Sequence, residues 1–306
     1  MLAGLILLFG GCSPINSCFE PNICYTPSSW HANMLPSPFE PLTDKELACA
    51  WGAELHIAQK FAREGDYYRA ITSYKRALFL CGKSNPRRRE MEWGIVLSYY
   101  MGQKYSDVIL SFEGSSLPSV SSDFPAFRDL ILVLQESYQM IGSCEKGELL
   151  FDLLEKGDPE SAEKVLLSNA LLSGRLSFAQ ELAPEDKEIA DFSRRFCKCY
   201  KSPQKAKALN AILPGAGYYY VGQKKSALTS LIINTAFTAA AYHFFEQGNW
   251  GAGIITASLE MGWYFGGING AGLAAKEYNE WTYSRCVKDI MENKRLFPVL
   301  MLETSF

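Results

Sequence analysis

The chain has 306 residues, 48% of them hydrophobic, and a formal net charge of −3. This length gives room for about two domains, and so small a net charge argues against nucleic acid as a partner and against an acidic tail. The charges are unevenly spread, since between Ala227 and Ala275 the only charged residues are Glu246 and Glu260. About a quarter of the residues in an ordinary globular domain are charged, so this segment stands apart from the rest.

The first segment, residues 1–12, is an apolar run that ends in two glycines and Cys12. It resembles the signal peptide of a bacterial lipoprotein, in which the cysteine after the small residues is lipidated and becomes the mature N-terminus. The resemblance implies lipidation at Cys12. The alternative is an apolar N-terminus that is buried or frayed. At about a dozen residues the run is too short to cross a bilayer, which requires about 20.

Residues 13–42 are rich in Pro, Ser, Asn and Cys, a composition typical of a tether with little regular structure. The chain has nine cysteines. If Cys12 is acylated, an even number remains that an oxidising compartment could pair. Their spacings match no zinc site. Cys197 and Cys199 point to nearly opposite faces of a helix, so we interpret them as ordinary helix residues.

Residues 43–200 have the spacing of paired helices. Thr43 and Glu46 form a capping-box pattern, and the apolar residues that follow recur three and four apart. The first unit resembles a tetratricopeptide repeat, and the resemblance is carried by seven positions. These are Ala58, Phe61, Gly65, Tyr67, Ala70, Tyr74 and Ala77. The small residues let two antiparallel helices approach, and the aromatic rings fill the space between units. One unit cannot bury its outer face, so at least three are expected.

The later units of this region are more degenerate. Residues 99–112 repeat the arrangement, residues 138–151 are a weaker third copy, and Asp158 followed by Pro159 starts a further helix. The repeat spacing exceeds the usual ~34 residues. This predicts inserted loops or a looser solenoid, and the Ser-rich stretch over residues 114–125 is predicted to be such a loop.

Residues 205–279 are predicted to form a membrane helical hairpin. Basic residues that end in Lys224 and Lys225 precede the first apolar stretch, as is typical beside anionic headgroups. Residues 227–245 match the thickness of one bilayer core in length. Residues 246–249 form a polar turn, and residues 250–275 form the second apolar helix, which runs back alongside the first. The alternative is a buried hairpin of a soluble protein, because the second apolar segment is only moderately apolar.

Within this hairpin, Gly262, Gly266 and Gly270 recur every fourth residue. Glycines at that spacing form a groove on one helix face, into which another backbone packs closely in lipid. Glu260 is costly in hydrocarbon, and Asn234 lies at a similar depth from the turn. We therefore predict that the Asn234 amide donates a hydrogen bond to a protonated Glu260. A structural role for Glu260 and a role in proton transfer both stay open.

The whole segment follows the pattern Pro-Gly-x-Gly-x-x-Tyr-x-Gly, an apolar helix with an Asn, Glu-x-x-Trp-Tyr-x-Gly, Gly-Ala and a final Tyr-Asn. The residues that carry it are Pro214, Gly215, Gly217, Tyr220, Gly222, Asn234, Glu260, Gly262, Trp263, Tyr264, Gly266, Gly270 and Asn279. It resembles a two-helix membrane domain that recurs behind tetratricopeptide-like regions in bacterial envelope proteins. The resemblance implies a location in a membrane and no activity.

Nothing in the sequence indicates a catalytic, metal or cofactor site. His31, His56 and His243 lie far apart and form no metal pattern. The Gly-x-Gly at residues 215–217 lacks a preceding strand and the acidic residue of a nucleotide fold. The arginines over residues 87–89 are interpreted as a solvated charge run, with a phosphate or headgroup role as the alternative.

These patterns predict an all-α chain, with a tetratricopeptide-like α-solenoid, a membrane-embedded helical hairpin and a C-terminal helix or tail over residues 280–306. The predicted function is a non-catalytic, membrane-anchored interaction scaffold of the bacterial envelope that binds a protein or peptide partner. The alternative is an accessory subunit of a membrane transport or insertion complex that acts through the hairpin, which could also join copies of the chain. The signal-like segment favours export, with the repeats facing the periplasm, whereas the basic flanks favour the cytoplasm.

Overall fold

The structure is a computed structural model that describes residues 21–25 and 34–306. In those two ranges all regular secondary structure is helical and there is no strand, so the prediction of an all-α chain is confirmed. The signal-like segment over residues 1–12, the lipidation predicted at Cys12 and the residue His31 lie outside the described residues.

The chain divides into two compact units. The repeat unit comprises Cys24–Leu171, Ser177–Glu185 and Lys288–Phe306. The hairpin unit comprises Leu172–Leu176 and Asp186–Val287, together with the described residues that precede Cys24. Each unit is discontinuous in sequence, so the boundary predicted near residues 200–205 does not separate them.

The repeat unit is built of short helices joined by tight turns. In chain order they are α1 (Asp44–Leu47), α2 (Ala50–Arg63), α3 (Tyr67–Cys81), α4 (Arg88–Met101), α5 (Tyr105–Glu113), α6 (Phe127–Met140), α7 (Cys144–Gly157), α8 (Pro159–Leu172) and α9 (Leu176–Leu182), followed near the end of the chain by α15 (Pro298–Met301). Three consecutive pairs, α2 with α3, α4 with α5 and α6 with α7, pack in succession. This succession agrees with the expectation of at least three units.

Local chemistry explains where the first pair begins and ends. The capping box is present, since the Thr43 N–H donates to Glu46 Oε2 at 2.8 Å and the Glu46 N–H donates to Thr43 Oγ1 at 3.3 Å. Gly65 has a φ of 81°, a left-handed conformation that ends α2 and that glycine adopts without strain. Asp66 then caps α3 by accepting a hydrogen bond from the N–H of Arg69 at 3.1 Å.

The predicted small residues of the repeat signature lie where α2 and α3 meet. Ala58, Ala70 and Ala77 are fully buried, and the ring of Tyr74 is 2% exposed. A Cβ on Gly94 of α4 would lie 2.8 Å from Cε2 of that ring. Gly94 is therefore what lets the second pair approach Tyr74, a role that the sequence analysis missed.

The predicted loops and later helix starts hold as well. Residues 114–126 contain one 3-10 turn, Leu117–Ser119, whose Leu117 is buried. Asp158 caps α8 by accepting a hydrogen bond from the N–H of Ser161 at 3.2 Å, and Pro159 is its first residue.

The hairpin unit is dominated by two long helices. Its elements are α10 (Lys187–Cys199), α11 (Pro203–Ile212), α12 (Ala216–Val221), α13 (Lys224–Glu246) and α14 (Trp250–Asn293). A turn at Gly248, with a φ of 76°, joins α13 to α14. The helix α14 is 44 residues long and continues well beyond Asn279, where the hairpin was predicted to end. Its last residues belong to the repeat unit.

Among the helices of the described ranges, none combines the length with the apolar character that a membrane-crossing segment requires.

Candidate functional site

The Pro-Gly-x-Gly motif forms a tight junction between α11, α12 and α13. The side-chain oxygen of Asn210, a residue 1% exposed, accepts hydrogen bonds from the N–H groups of Gly215 at 2.8 Å and Gly217 at 3.3 Å. Gly215 has a φ of 93°, and a Cβ there would also collide with the carbonyl oxygen of Ala227. A Cβ on Gly217 would lie 2.7 Å from the Cβ of Ala271. At both positions neighbouring atoms leave no room for a Cβ, so glycine is required there and the motif has a structural role.

Two other motif residues hold the start of α11. The side chain of Asn279 accepts a hydrogen bond from the N–H of Lys201 and donates one to its carbonyl oxygen, both at 2.8 Å. The Tyr220 hydroxyl accepts a hydrogen bond from the N–H of Ser202 at 3.2 Å. The ammonium nitrogens of Lys201 and Lys205 lie 4.9 Å and 5.2 Å from the centre of the Tyr220 ring, within the range of cation–π attraction. This end of the unit is therefore cationic.

The second half of the motif lies on α14 against the same junction. The Tyr264 hydroxyl donates a hydrogen bond to the carbonyl oxygen of Ala211. A Cβ on Gly270 would collide with the Tyr218 hydroxyl. The small core here consists of Ala206, Val221, Ala271, Ala274 and Ala275. The structure thus brings most of the predicted motif residues together around α11 and α12.

A cleft of about 780 Å³ lies between α13 and α14. The helix α13 contributes Thr229 and Asn234 to its lining, and α14 contributes Trp263. Gly262 and Gly266 also line it, and a Cβ on either would meet no atom within 4 Å. The predicted glycine groove is therefore open at these two positions.

The predicted hydrogen bond between Asn234 and Glu260 is wrong. The Asn234 amide nitrogen donates instead to the carbonyl oxygen of Ser230, one turn earlier on the same helix, at 2.6 Å. The Glu260 carboxylate is hydrogen-bonded to Thr238. Asn234 Oδ1 and Glu260 Oε2 are buried without a hydrogen-bond partner among the described residues. A nearby carbonyl on its own helix is a strong competitor for an Asn amide.

The two helices that border the cleft expose large apolar side chains along much of their length. Ten of them are at least 48% exposed: Leu228, Ile232, Tyr242, Trp250, Ile254, Ile255, Leu259, Met261, Trp263 and Phe265. Exposed apolar residues that stand singly are normal, but so many on two neighbouring helices mark an interaction site. We call these ten side chains the apolar surface of the hairpin.

Other candidate residues lie elsewhere. Arg87 is 15% exposed and pairs with Glu46 and Glu90, so its interpretation as part of a solvated run is wrong. Arg89 is exposed, as that interpretation requires. Cys197 and Cys199 are exposed free thiols. Across the described ranges, no group of three or more His, Cys, Asp or Glu residues is arranged to hold a metal ion.

The chain matches no protein-family model, no curated protein and no solved structure. The two resemblances found in the sequence therefore stay predictions.

Proposed function

We propose that this chain is a non-catalytic scaffold of a bacterial envelope membrane. The hairpin unit embeds α13 and the first part of α14 in the bilayer, and the repeat unit binds a protein or peptide partner. The observation that carries the proposal is the apolar surface of the hairpin. Transfer of the exposed part of each of its side chains out of water contributes roughly 1 kcal/mol, so ten together favour a membrane strongly.

The dimensions and the flanking residues support the same proposal. The helix α13 has 23 residues, which extend about 35 Å at 1.5 Å per residue; this length is comparable with the ~30 Å hydrocarbon core, although the apolar character of the helix is below that of a crossing segment. Lys224 and Lys225 begin α13, and Lys201 and Lys205 lie close by on the Tyr220 ring. Cations placed beside an apolar helix favour anionic headgroups. Trp250, 67% exposed at the turn, has the amphipathic character of an interfacial residue.

The proposal is tested by membrane fractionation of the full chain in a Cys12→Ser background, which removes any contribution from lipidation. Three substitutions are made in the apolar surface: Ile232→Lys, Ile254→Lys and Ile255→Lys. Three matched control substitutions are made at exposed apolar residues of the repeat unit: Ile57→Lys, Phe79→Lys and Leu110→Lys. We expect the first triple variant to leave the membrane pellet and the control to stay in it. A Cys12→Ser chain that is soluble and monomeric in plain buffer would refute the proposal.

The open glycines Gly262 and Gly266 favour a second candidate, an accessory subunit that packs into a larger membrane complex. Without Cβ atoms, these positions present bare backbone to a neighbouring helix. Gly266→Ile closes that approach, and Gly251→Ile is the control on the same helix, since a Cβ there also meets no atom within 4 Å. On native gels of membrane extracts, loss of a complex with Gly266→Ile alone supports the second candidate. An unchanged complex with both variants supports the first.

A further inference from the structure

The segment Pro298–Phe306 lies on the repeat unit and is held there through its main chain. The Asp129 carboxylate on α6 accepts hydrogen bonds from the N–H groups of Thr304 at 2.8 Å and Glu303 at 3.3 Å, and from the Thr304 hydroxyl. The Arg63 guanidinium on α2 donates to the carbonyl oxygen of Phe306 at 2.6 Å and 3.1 Å. Asp129 is only 2% exposed; the neighbouring Arg128 pairs with its charge at 2.9 Å, and the segment supplies its N–H and O–H donors.

Further contacts extend along the segment in both directions. Arg128 donates to the carbonyl oxygen of Met301 at 3.1 Å. The N–H of Ser305 donates to the carbonyl oxygen of Pro36 at 2.9 Å. The Phe306 ring is 4% exposed, and its centre lies 6.3 Å from that of Tyr67. The Phe306 ring therefore occupies a pocket, whereas most of the polar contacts are made to main-chain atoms of the segment.

The helices that hold the segment occupy equivalent places in the fold. The helix α2 is the first of one helix pair and α6 is the first of the third pair. Residues 302–306, which follow the helical turn α15, thus lie on one face of the stacked pairs in the manner of an extended ligand. A tail that served packing alone would need no charged side chains aimed at its main chain, since burying them is costly unless they are paired. If the segment departed, Arg63 and Asp129 would face water and keep their capacity to bind another backbone.

We propose that this face of the repeat unit is a peptide-binding groove, and that residues 298–306 are an internal occupant which a partner displaces. The partner is an extended peptide that offers two successive N–H groups to Asp129, a hydroxyl residue in the Thr304 position and a large aromatic or apolar residue in the Phe306 pocket. The inference rests on the proposed function, because it names the partner class of the repeat unit. It identifies the chain's own tail as the competitor.

The test uses the full chain in detergent and a fluorescent, C-terminally amidated peptide with the sequence of residues 298–306. Thr304→Pro removes both the N–H and the hydroxyl that Asp129 binds, and so releases the tail. We expect this variant to bind the peptide at least tenfold more tightly than the unaltered chain, as read by fluorescence anisotropy. Adding Asp129→Ala to Thr304→Pro should abolish the gain. A peptide with Asp in place of its final Phe should bind neither protein.

A second measurement keeps the proposal falsifiable if Thr304→Pro disturbs folding. Hydrogen exchange is followed at the amides of residues 303–306 in the unaltered chain while unlabelled peptide is added. We expect saturating peptide to accelerate exchange at these amides and to leave α2 and α6 protected. Unchanged exchange, or a released tail without a gain in peptide binding, would mean that the segment is a structural cap and would overturn the proposal. Membrane fractionation reports separately on the anchoring function, so the two failures are distinguishable.

Discussion

Replacing Arg87 by alanine tests how the segment before the first helix pair is fastened to the second pair. The Arg87 guanidinium donates to Glu46 Oε1 at 2.9 Å, Glu46 Oε2 at 3.1 Å and Glu90 Oε2 at 3.0 Å. It also donates to the carbonyl oxygens of Glu40 at 2.6 Å and Pro41 at 3.1 Å. One side chain thus joins the start of α4 to residues 40–46, a stretch more than 40 positions earlier in the sequence.

The magnitude follows from what the substitution leaves behind. Glu90 is 5% exposed and would keep only the amide of Gln59, at 2.9 Å, as a partner. Removing one member of a buried ion pair costs about 3–5 kcal/mol. Glu46 is 22% exposed and can recover contacts with water, so we expect the lower end, about 3 kcal/mol. That is a large share of the ~5–15 kcal/mol that stabilises a typical domain.

The assay is chemical denaturation followed by far-UV circular dichroism, with hydrogen exchange to locate the loss in α1–α4. Arg89→Ala is the matched control, because Arg89 is the same residue type on the same helix and is exposed. Its effect should stay within about 0.5 kcal/mol. A loss below about 1 kcal/mol for Arg87→Ala, or equal losses for the two variants, would refute the reasoning.

The same ion pair has a signature in pH. Hydrogen bonds from Arg87 lower the pKa of Glu46 from its ordinary 4.5 to about 2. A carboxyl group with a lowered pKa stabilises the fold above its unfolded value, and that contribution disappears as the pH falls from about 4.5 towards 2. We expect the unaltered chain to lose stability over this range, and Arg87→Ala to lose less.

Gly94→Ala should lower the free energy of unfolding by about 1–3 kcal/mol in the same titrations, because a Cβ would overlap an aromatic ring; Gly157→Ala, whose Cβ meets no atom within 4 Å, should not destabilise. Burial raises the pKa of Glu136 to about 7, so stability should fall as the pH rises from about 4.5 to 7. Glu136→Gln should flatten this fall in melting temperature, and equal slopes would contradict the assignment. Asn210→Ala should cost about 2–4 kcal/mol, since two main-chain N–H groups lose their acceptor; a thermal melt unchanged within error would contradict it.

The sequence was sufficient wherever local chemistry decides the structure. The capping box at Thr43 and the stop at Gly65 depend on residues a few positions apart. The burial of Ala58 follows from helical periodicity. These features predicted the helix pairs and the all-α class.

Features that join distant parts of the chain were not predictable in the same way. Arg87 lies 41 residues from Glu46, and nothing in the local pattern distinguishes it from Arg89. The distance of Asn234 from the turn followed from the number of residues between them, but its side-chain rotamer did not. The Asn234 amide donates to a carbonyl oxygen of its own helix. The end of α14 was placed at Asn279 from a motif, although no proline or glycine follows there to stop the helix before Asn293.

The bond between Asp129 and Thr304 joins residues 175 positions apart, which has a consequence for synthesis. The ribosome delivers α6 long before it delivers the segment whose N–H groups donate to Asp129. Contacts of such long range also slow folding, because the intervening loop must close first. Until both long helices of the hairpin have been translated, Asp129 has its ion pair with Arg128 but lacks the hydrogen bonds of this segment. Chaperones that bind nascent chains are expected to act on the repeat unit mainly during that interval.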